Sequence, residues 1–219
     1  MAESPLPAAS ESSGASQRVY LGILKDLEQR RLVPGQRLVE TDLAAQYGVG
    51  RNAVREAVQR LAVRGVIDLS RNKSASIRKL DKEETLEVLD VAMVMTGLVA
   101  AVAARNYDPP HHGALIEAAM TGLADVENDR EPGAFSRARR GFYRAILAIG
   151  GNRELQRLFP AIGMHIIYSQ YQSPRLQDIR LSDYRALHDA IVANDTEAAE
   201  RSGRGHVENV RRVILDLQG

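Results

Sequence analysis

Residues 37–64, RLVETDLAAQYGVGRNAVREAVQRLAVR, constrain the fold of this chain more than any other stretch. Their apolar positions trace two short helices. The first runs from about Glu40 to Tyr47 with Leu43 and Ala44 on its inner side. The second begins near Asn52 and carries Val54, Ala57, Val58 and Leu61 at helical spacing. Gly48-Val49-Gly50 between them is a turn sequence, because glycine reaches backbone angles that other residues avoid. The second helix is densely basic along one side, and Arg51, Asn52 and Arg55 gather at its start, outward. A helix that buries one side and offers Arg and Asn at its N-terminus suits a DNA major groove. Arg pairs bidentately with guanine there, and Asn with adenine. The competing reading is a plain helical hairpin whose arginines form a solvated face.

The residues after the hairpin favour the first reading. Gly65-Val66-Ile67-Asp68-Leu69 ends the helix and opens a strand, Ser70-Arg71-Asn72-Lys73 is a polar turn, and Ala75-Ser76-Ile77 is a return strand. This is a two-stranded wing with Arg71 and Lys73 at its tip, placed for phosphate or minor-groove contacts. Upstream, an amphipathic helix is expected over residues 18–31, with Val19, Ile23, Leu24 and Leu27 inward, and Pro34-Gly35 turns the chain after it. Helix, helix, turn, helix and wing make a winged helix-turn-helix. Charge divides the same way. Residues 16–80 hold 13 Lys or Arg against 6 Asp or Glu, and residues 81–219 hold 16 against 20. The net charge of +1 therefore conceals a basic domain beside an acidic one, as expected when only one of them meets nucleic acid.

The run over residues 19–67 resembles the N-terminal domain of the GntR family of bacterial transcription regulators. The matching positions are Val19, Tyr20, Pro34, Gly35, Leu38, Glu40, Leu43, Ala44, Gly48, Val49, Arg51, Val54, Arg55, Ala57, Leu61 and Gly65. Three positions depart from the family pattern: Gly50 stands for the usual Ser or Thr, Asn52 for Thr, and Ala53 for the common Pro. Gly50 removes a hydroxyl that could cap the recognition helix, and Asn52 is expected to replace that cap. The resemblance implies that Arg51, Asn52 and Arg55 read bases or phosphates and that Arg71, Asn72 and Lys73 serve the wing. Thr41, at the start of the first short helix, joins these expected DNA contacts.

The rest of the chain sets broader bounds. At 219 residues it suits one small and one medium domain. The absence of cysteine excludes disulfides and thiolate metal sites, which fits a reducing cytoplasm. Residues 1–15, rich in Ser, Ala and Pro, read as a disordered tail and lack the basic and apolar regions of a signal peptide. The best membrane candidate, residues 91–104, is too short to span, so no membrane partner is expected. Residues 81–219 read as helices throughout. Asp81 with Glu84 caps the first, which runs to about Arg105 and is ended by Asp108-Pro109-Pro110. Others fit 111–128, 133–149, 152–172 with a break near Pro160, 182–193 and 196–217, opened in the last three cases by Asn152, Ser182 and Asp195. His111 and His112 read as loop residues. The fold class is mainly α: a winged helix-turn-helix followed by an antiparallel bundle of six or seven helices, which can hold a ligand between them.

The second half resembles the all-helical FCD ligand-sensing domain of the FadR branch of the same family. It matches at Ala100-Ala101, Ala103-Ala104, Phe142, Gly151-Asn152, Arg185-Ala186-Leu187, Ala190-Ile191, Asp195 and Ala198-Ala199. Many FCD domains hold a divalent metal, through one Asp and three His, that helps to hold a carboxylate ligand. Counting back nine residues from Asn152 puts Tyr143 at the first His position and Arg139 at the Asp position. Counting back eleven from Asp195 puts Tyr184 at the next, leaving His206 as the last. Such a set is not expected to bind a metal, and no cofactor is expected.

Arg139 and Tyr143 share one helix face, and Tyr184 and His188 share another. By the resemblance these faces meet His206 around one cavity, where a guanidinium, phenols and imidazoles would bind a small organic acid directly. The expected function is a homodimeric, ligand-responsive repressor of operator DNA. Its alternatives are metal-dependent sensing, or an architectural DNA-binding protein with no effector. An enzyme is not expected, because no nucleophile–base pair, phosphate loop or metal cluster stands at recognisable spacing.

Overall fold

The computed structural model describes residues 9–69, 75–126, 129, 131, 133–171 and 173–218. The chain divides into two compact units, Met1–Lys79 and Leu80–Gly219.

In the first unit, helices α1 (Ala9–Glu28), α2 (Glu40–Tyr47) and α3 (Arg51–Val63) precede strands β1 (Ile67–Asp68) and β2 (Ser76–Ile77). The strands pair antiparallel, Ile67 opposite Ile77, and Arg37 bridges to Ser76 so that the segment before α2 joins the sheet edge. Val19, Ile23 and Leu27 from α1 and Leu43 from α2 are buried, as are Val54, Ala57 and Leu61 from α3 and Ile67 and Ile77 from the strands. The helix expected over 18–31 begins at Ala9 and stops at Glu28. Residues 9–15 of the expected tail are therefore helical, since nothing between Ala8 and Arg18 breaks a helix more strongly than Gly14.

Asp26 determines where α1 ends. Its carboxylate is buried and accepts hydrogen bonds from Arg31 Nε (2.9 Å), Gln46 Nε2 (2.6 Å) and the Tyr47 hydroxyl (2.6 Å). The turn after α1 and the end of α2 are thereby tied to one charge. Burial, then the bond to Asp26, pushes the Tyr47 phenol well above its usual range. Gly22 lets this tyrosine lie on α1, because a Cβ there would come within 2.4 Å of the ring. Gly48 ends α2 in the left-handed conformation (φ 61°), its N–H bonding back to the last turn.

The second unit contains, among the described residues, helices α4 (Lys82–Asn106), α5 (Pro109–Asp125), α6 (Ala134–Gly150), α7 (Arg153–Leu158), α8 (Met164–Gln170), α9 (Pro174–Val192) and α10 (Thr196–Gln218). A 3-10 turn, Phe159–Ala161, follows α7 at Pro160. Asp81 and Glu84 form a reciprocal capping box, Asn152 caps α7, and Asp195 accepts from Ala198 N–H at the start of α10. Two boundaries differ from those read in the sequence. Pro109 and Pro110 open α5 instead of separating two helices, because proline at the first helical positions loses no intrahelical bond, so His111 and His112 lie in its first turn. Ser182 does not start α9, which begins eight residues earlier at Pro174; Ser182 Oγ instead donates to Ile179 O.

The long α4 packs against α10, α6 and α9. By length and composition it could cross a membrane, and it is longer than the apolar run 91–104 because its polar first turns continue the same helix. Here Leu89, Ala92, Val99, Ala100, Ala103 and Ala104 are buried, which makes it a core helix of the bundle. Its crossing with α10 is close. A Cβ on Gly203 would lie 2.7 Å from the Thr96 carbonyl oxygen, and one on Gly97 would lie 3.2 Å from that of Glu200. Asn194, in the left-handed region (φ 53°), donates from Nδ2 to the carbonyls of Ala104 (2.9 Å) and Tyr107 (2.8 Å), which fixes the end of α4 against the α9–α10 turn.

Candidate functional site

On α3, Ala53, Val54, Ala57, Val58 and Leu61 are buried, which leaves Arg51, Asn52, Arg55, Glu56 and Gln59 exposed on the opposite side. Gln59 extends this outward stripe one turn beyond the residues read from the sequence. The N-cap is Gly50, with no side-chain cap, and Arg51 is already helical. Asn52 therefore does not replace the missing hydroxyl, since a residue inside the first turn cannot bond back to the N–H groups ahead of it. Thr41 is exposed in the first turn of α2, its hydroxyl 3.2 Å from Asp42 Oδ1.

Arg55 Nε donates to Glu40 Oε2 at 2.8 Å, with both side chains in water. Such a pair contributes about 0.2–1 kcal/mol, enough to orient Arg55 and too little to hold it against a base or phosphate. The basic side is not uniform. Arg60 lies 4.6 Å from the Tyr20 ring centroid and donates to Gln17 Oε1, and Arg64 donates to the Tyr20 hydroxyl, so these two secure α1. Arg71, Asn72 and Lys73 lie outside the described residues.

The second unit brings Arg139, Tyr143, Tyr184 and His206 together. Arg139 and Tyr143 come from α6, Tyr184 from α9 and His206 from α10, and all four are buried. The Tyr184 ring centroid lies 4.8 Å from that of His206, 5.9 Å from that of Tyr143 and 5.3 Å from that of Phe142. His188 is not brought there. One turn beyond Tyr184, it meets α5 and hydrogen-bonds to Glu117 Oε1 and Asp189 Oδ1, both at 3.0 Å, at the bundle surface.

Three further residues complete the cluster: Tyr168 from α8, and Arg180 and Asp183 from α9. The Tyr168 ring lies under two guanidiniums, with Arg139 Cζ at 3.5 Å and Arg180 Cζ at 4.2 Å from its centroid. Asp183 bonds to neither guanidinium. Its Oδ2 meets His206 Nδ1 and its Oδ1 accepts from Asn209 Nδ2, each at 3.0 Å. Both arginines are 7% exposed. Among the described residues, Arg139 Nε and Arg180 Nε and Nη2 are buried without a hydrogen-bond partner. Two signals in the sequence would have found Arg180: Ser173-Pro174 as a helix start, and the period of Leu176, Arg180, Tyr184 and Leu187, which puts an arginine in an apolar stripe.

The electrostatics follow from burial. Desolvation lowers the Arg180 guanidinium below its ordinary value. Desolvation also holds His206 lower than a free imidazole, against the opposing pull of Asp183, and keeps the Tyr143 and Tyr184 phenols protonated. The arginines are the uncompensated charges. Burying one ion costs several kcal/mol, whereas a desolvated cation–π contact returns about 2 kcal/mol. The neighbouring like charge adds repulsion. The Tyr168 ring therefore offsets only part of the cost of two buried guanidiniums, and an anion would supply the rest.

The donor set does not fit a divalent metal. Among the described residues no three His, Asp or Glu converge, and the one imidazole of the cluster stands beside two cations.

Residues 15–77 match "Bacterial regulatory proteins, gntR family", and residues 87–209 match "FCD domain". The chain is 26% identical to the "Probable D-xylose utilization operon transcriptional repressor" of Paenarthrobacter nicotinovorans, over 84% of this chain and 82% of that one. It is 24% identical to the galactonate operon transcriptional repressor of Escherichia coli, over 92% and 97% of the two chains. The solved structure of E. coli McbR/YncC has the same fold, with a TM-score of 0.77 at 19% identity over 94% of this chain and 99% of that one. The exposed arginines of α3 and the strand pair fall in the first matched domain and the helical bundle in the second, and the chain belongs to the GntR family of bacterial transcription regulators, with an FCD domain as its second half.

Proposed function

We propose that this regulator is a repressor that releases its operator when a small organic acid binds in the Arg139–Arg180–Tyr184–His206 cluster, without a metal. The observation that carries this reading is the set of buried guanidinium nitrogens with no partner. A folded core rarely leaves such donors unmade, and an arginine offers a planar fork that matches a carboxylate. The phenols of Tyr143 and Tyr184, which stay protonated, serve as donors to the same ligand. Repression is supported by the two relatives, each described as the repressor of an operon.

DNA binding belongs to the first unit, through Thr41, Arg51, Asn52 and Arg55 with the wing residues Arg71, Asn72 and Lys73. Effector binding and pairing into a homodimer belong to the second. The effector favours one arrangement of the dimer over the other, and only its differential affinity for the two moves the equilibrium off DNA.

The test is operator binding, followed by fluorescence anisotropy, titrated with a panel of organic acids with and without a chelator. A chelator leaves both operator binding and release intact. Arg139→Ala retains operator affinity and loses the response. A stoichiometric transition metal bound through His206, or an Arg139→Ala protein that responds normally, refutes the reading.

A further inference from the structure

Resting on the organic-acid reading, we infer that the ligand is a dicarboxylate, one carboxylate for each of the two guanidiniums that lie against Tyr168. Arg139 and Arg180 come from different helices, α6 and α9, and each keeps at least one buried nitrogen without a partner. A monocarboxylate satisfies one fork and leaves the second cation buried and uncompensated.

Among the described residues, no carboxylate lies within hydrogen-bond distance of Arg180 Nε or Nη2. Beside it stand the Tyr168, Tyr184 and Tyr143 phenols and the other cation, Arg139. The Asp183 carboxylate, three residues along α9, is engaged at both oxygens by His206 and Asn209. Both guanidiniums lie against one aromatic ring, 3.5 and 4.2 Å from its centroid, so two carboxylates on a short carbon chain can reach one each. The donor set, which does not suit a metal, is consistent with this division of labour. Where a cation would have served one carboxylate, the second arginine serves another.

The probes are succinate and glutarate, their one-charge counterparts butyrate and pentanoate, and inorganic phosphate. The readouts are thermal shift and calorimetry on the intact protein. The diacids should raise Tm and bind more tightly than the monoacids by about tenfold or more, the value of one added charge-assisted partner. Arg180→Gln should erase that preference, bringing diacid and monoacid to similar affinity. It should also leave the Tm of the ligand-free protein unchanged or higher, because it removes an uncompensated buried charge. Arg180→Lys should keep part of the preference.

Monoacids that bind as tightly as diacids would overturn the inference and leave the organic-acid reading standing. Phosphate binding without diacid binding would do the same to the dicarboxylate. An Arg180→Gln protein that fails to fold, or that keeps the diacid preference, would show the arginine to be structural. Failure of every anion to bind would end both readings.

Discussion

Arg55 stands in water with its Nε on Glu40, whereas Arg180 is almost wholly buried with two nitrogens unmade. The first is cheap to place and free to be recruited; the second is costly to place and, in the proposed reading, stabilised by a ligand. Their substitutions should therefore behave in opposite ways. Arg55→Ala or Arg51→Ala should leave the fold intact and cost about 1–3 kcal/mol of specific operator binding each if the side chain reads a base. Comparing affinity for the operator with that for unrelated DNA of equal length checks this. If both variants keep full operator preference, α3 is not the reading helix.

At the level of elements, the bundle depends on how closely α4 and α10 approach. Gly203 and Gly205 lie two residues apart on α10, and only the first faces α4. A Cβ at Gly203 would press on the Thr96 carbonyl oxygen at 2.7 Å, while one at Gly205 meets nothing within 4 Å. Gly203→Ala should destabilise the protein by about 1–3 kcal/mol, because backbone cannot yield as a side chain does. Gly205→Ala should stabilise by up to about 1 kcal/mol, since glycine is costly inside a helix. Urea unfolding followed by helical circular dichroism measures both, and equal effects would mean the crossing has been wrongly placed.

For the whole molecule, the proposed function calls for two copies. One recognition helix reads a few base pairs, and two on a symmetric operator lengthen the site and multiply affinity. The second unit leaves Val91, Val94 and Leu98 exposed at helical spacing on α4, apolar surface of the kind a second copy covers. Sedimentation at micromolar concentration should give a dimer of 24.1 kDa chains. A monomer that binds a single half-site would exclude this.

The order of the helices, the wing and the outward arginines of α3 were legible in the chain because they rest on local rules: period, caps and turn residues. Val54, Ala57, Val58 and Leu61 could lie only inward, and Asp81, Asn152 and Asp195 could only open helices. The family resemblance also placed Arg139, Tyr143, Tyr184 and His206 together. Tertiary structure decided the rest. Asp26 collects donors 20 and 21 residues away, which no local pattern encodes. His188, on the expected face, finds Glu117 on another helix. Arg180 and Tyr168 enter the site because α9 starts at Pro174 and α8 brings its ring against two cations. A sequence specifies which residues a helix can present. Which of them meet, and which charges are left without a partner, depends on the packing of helices far apart in the chain.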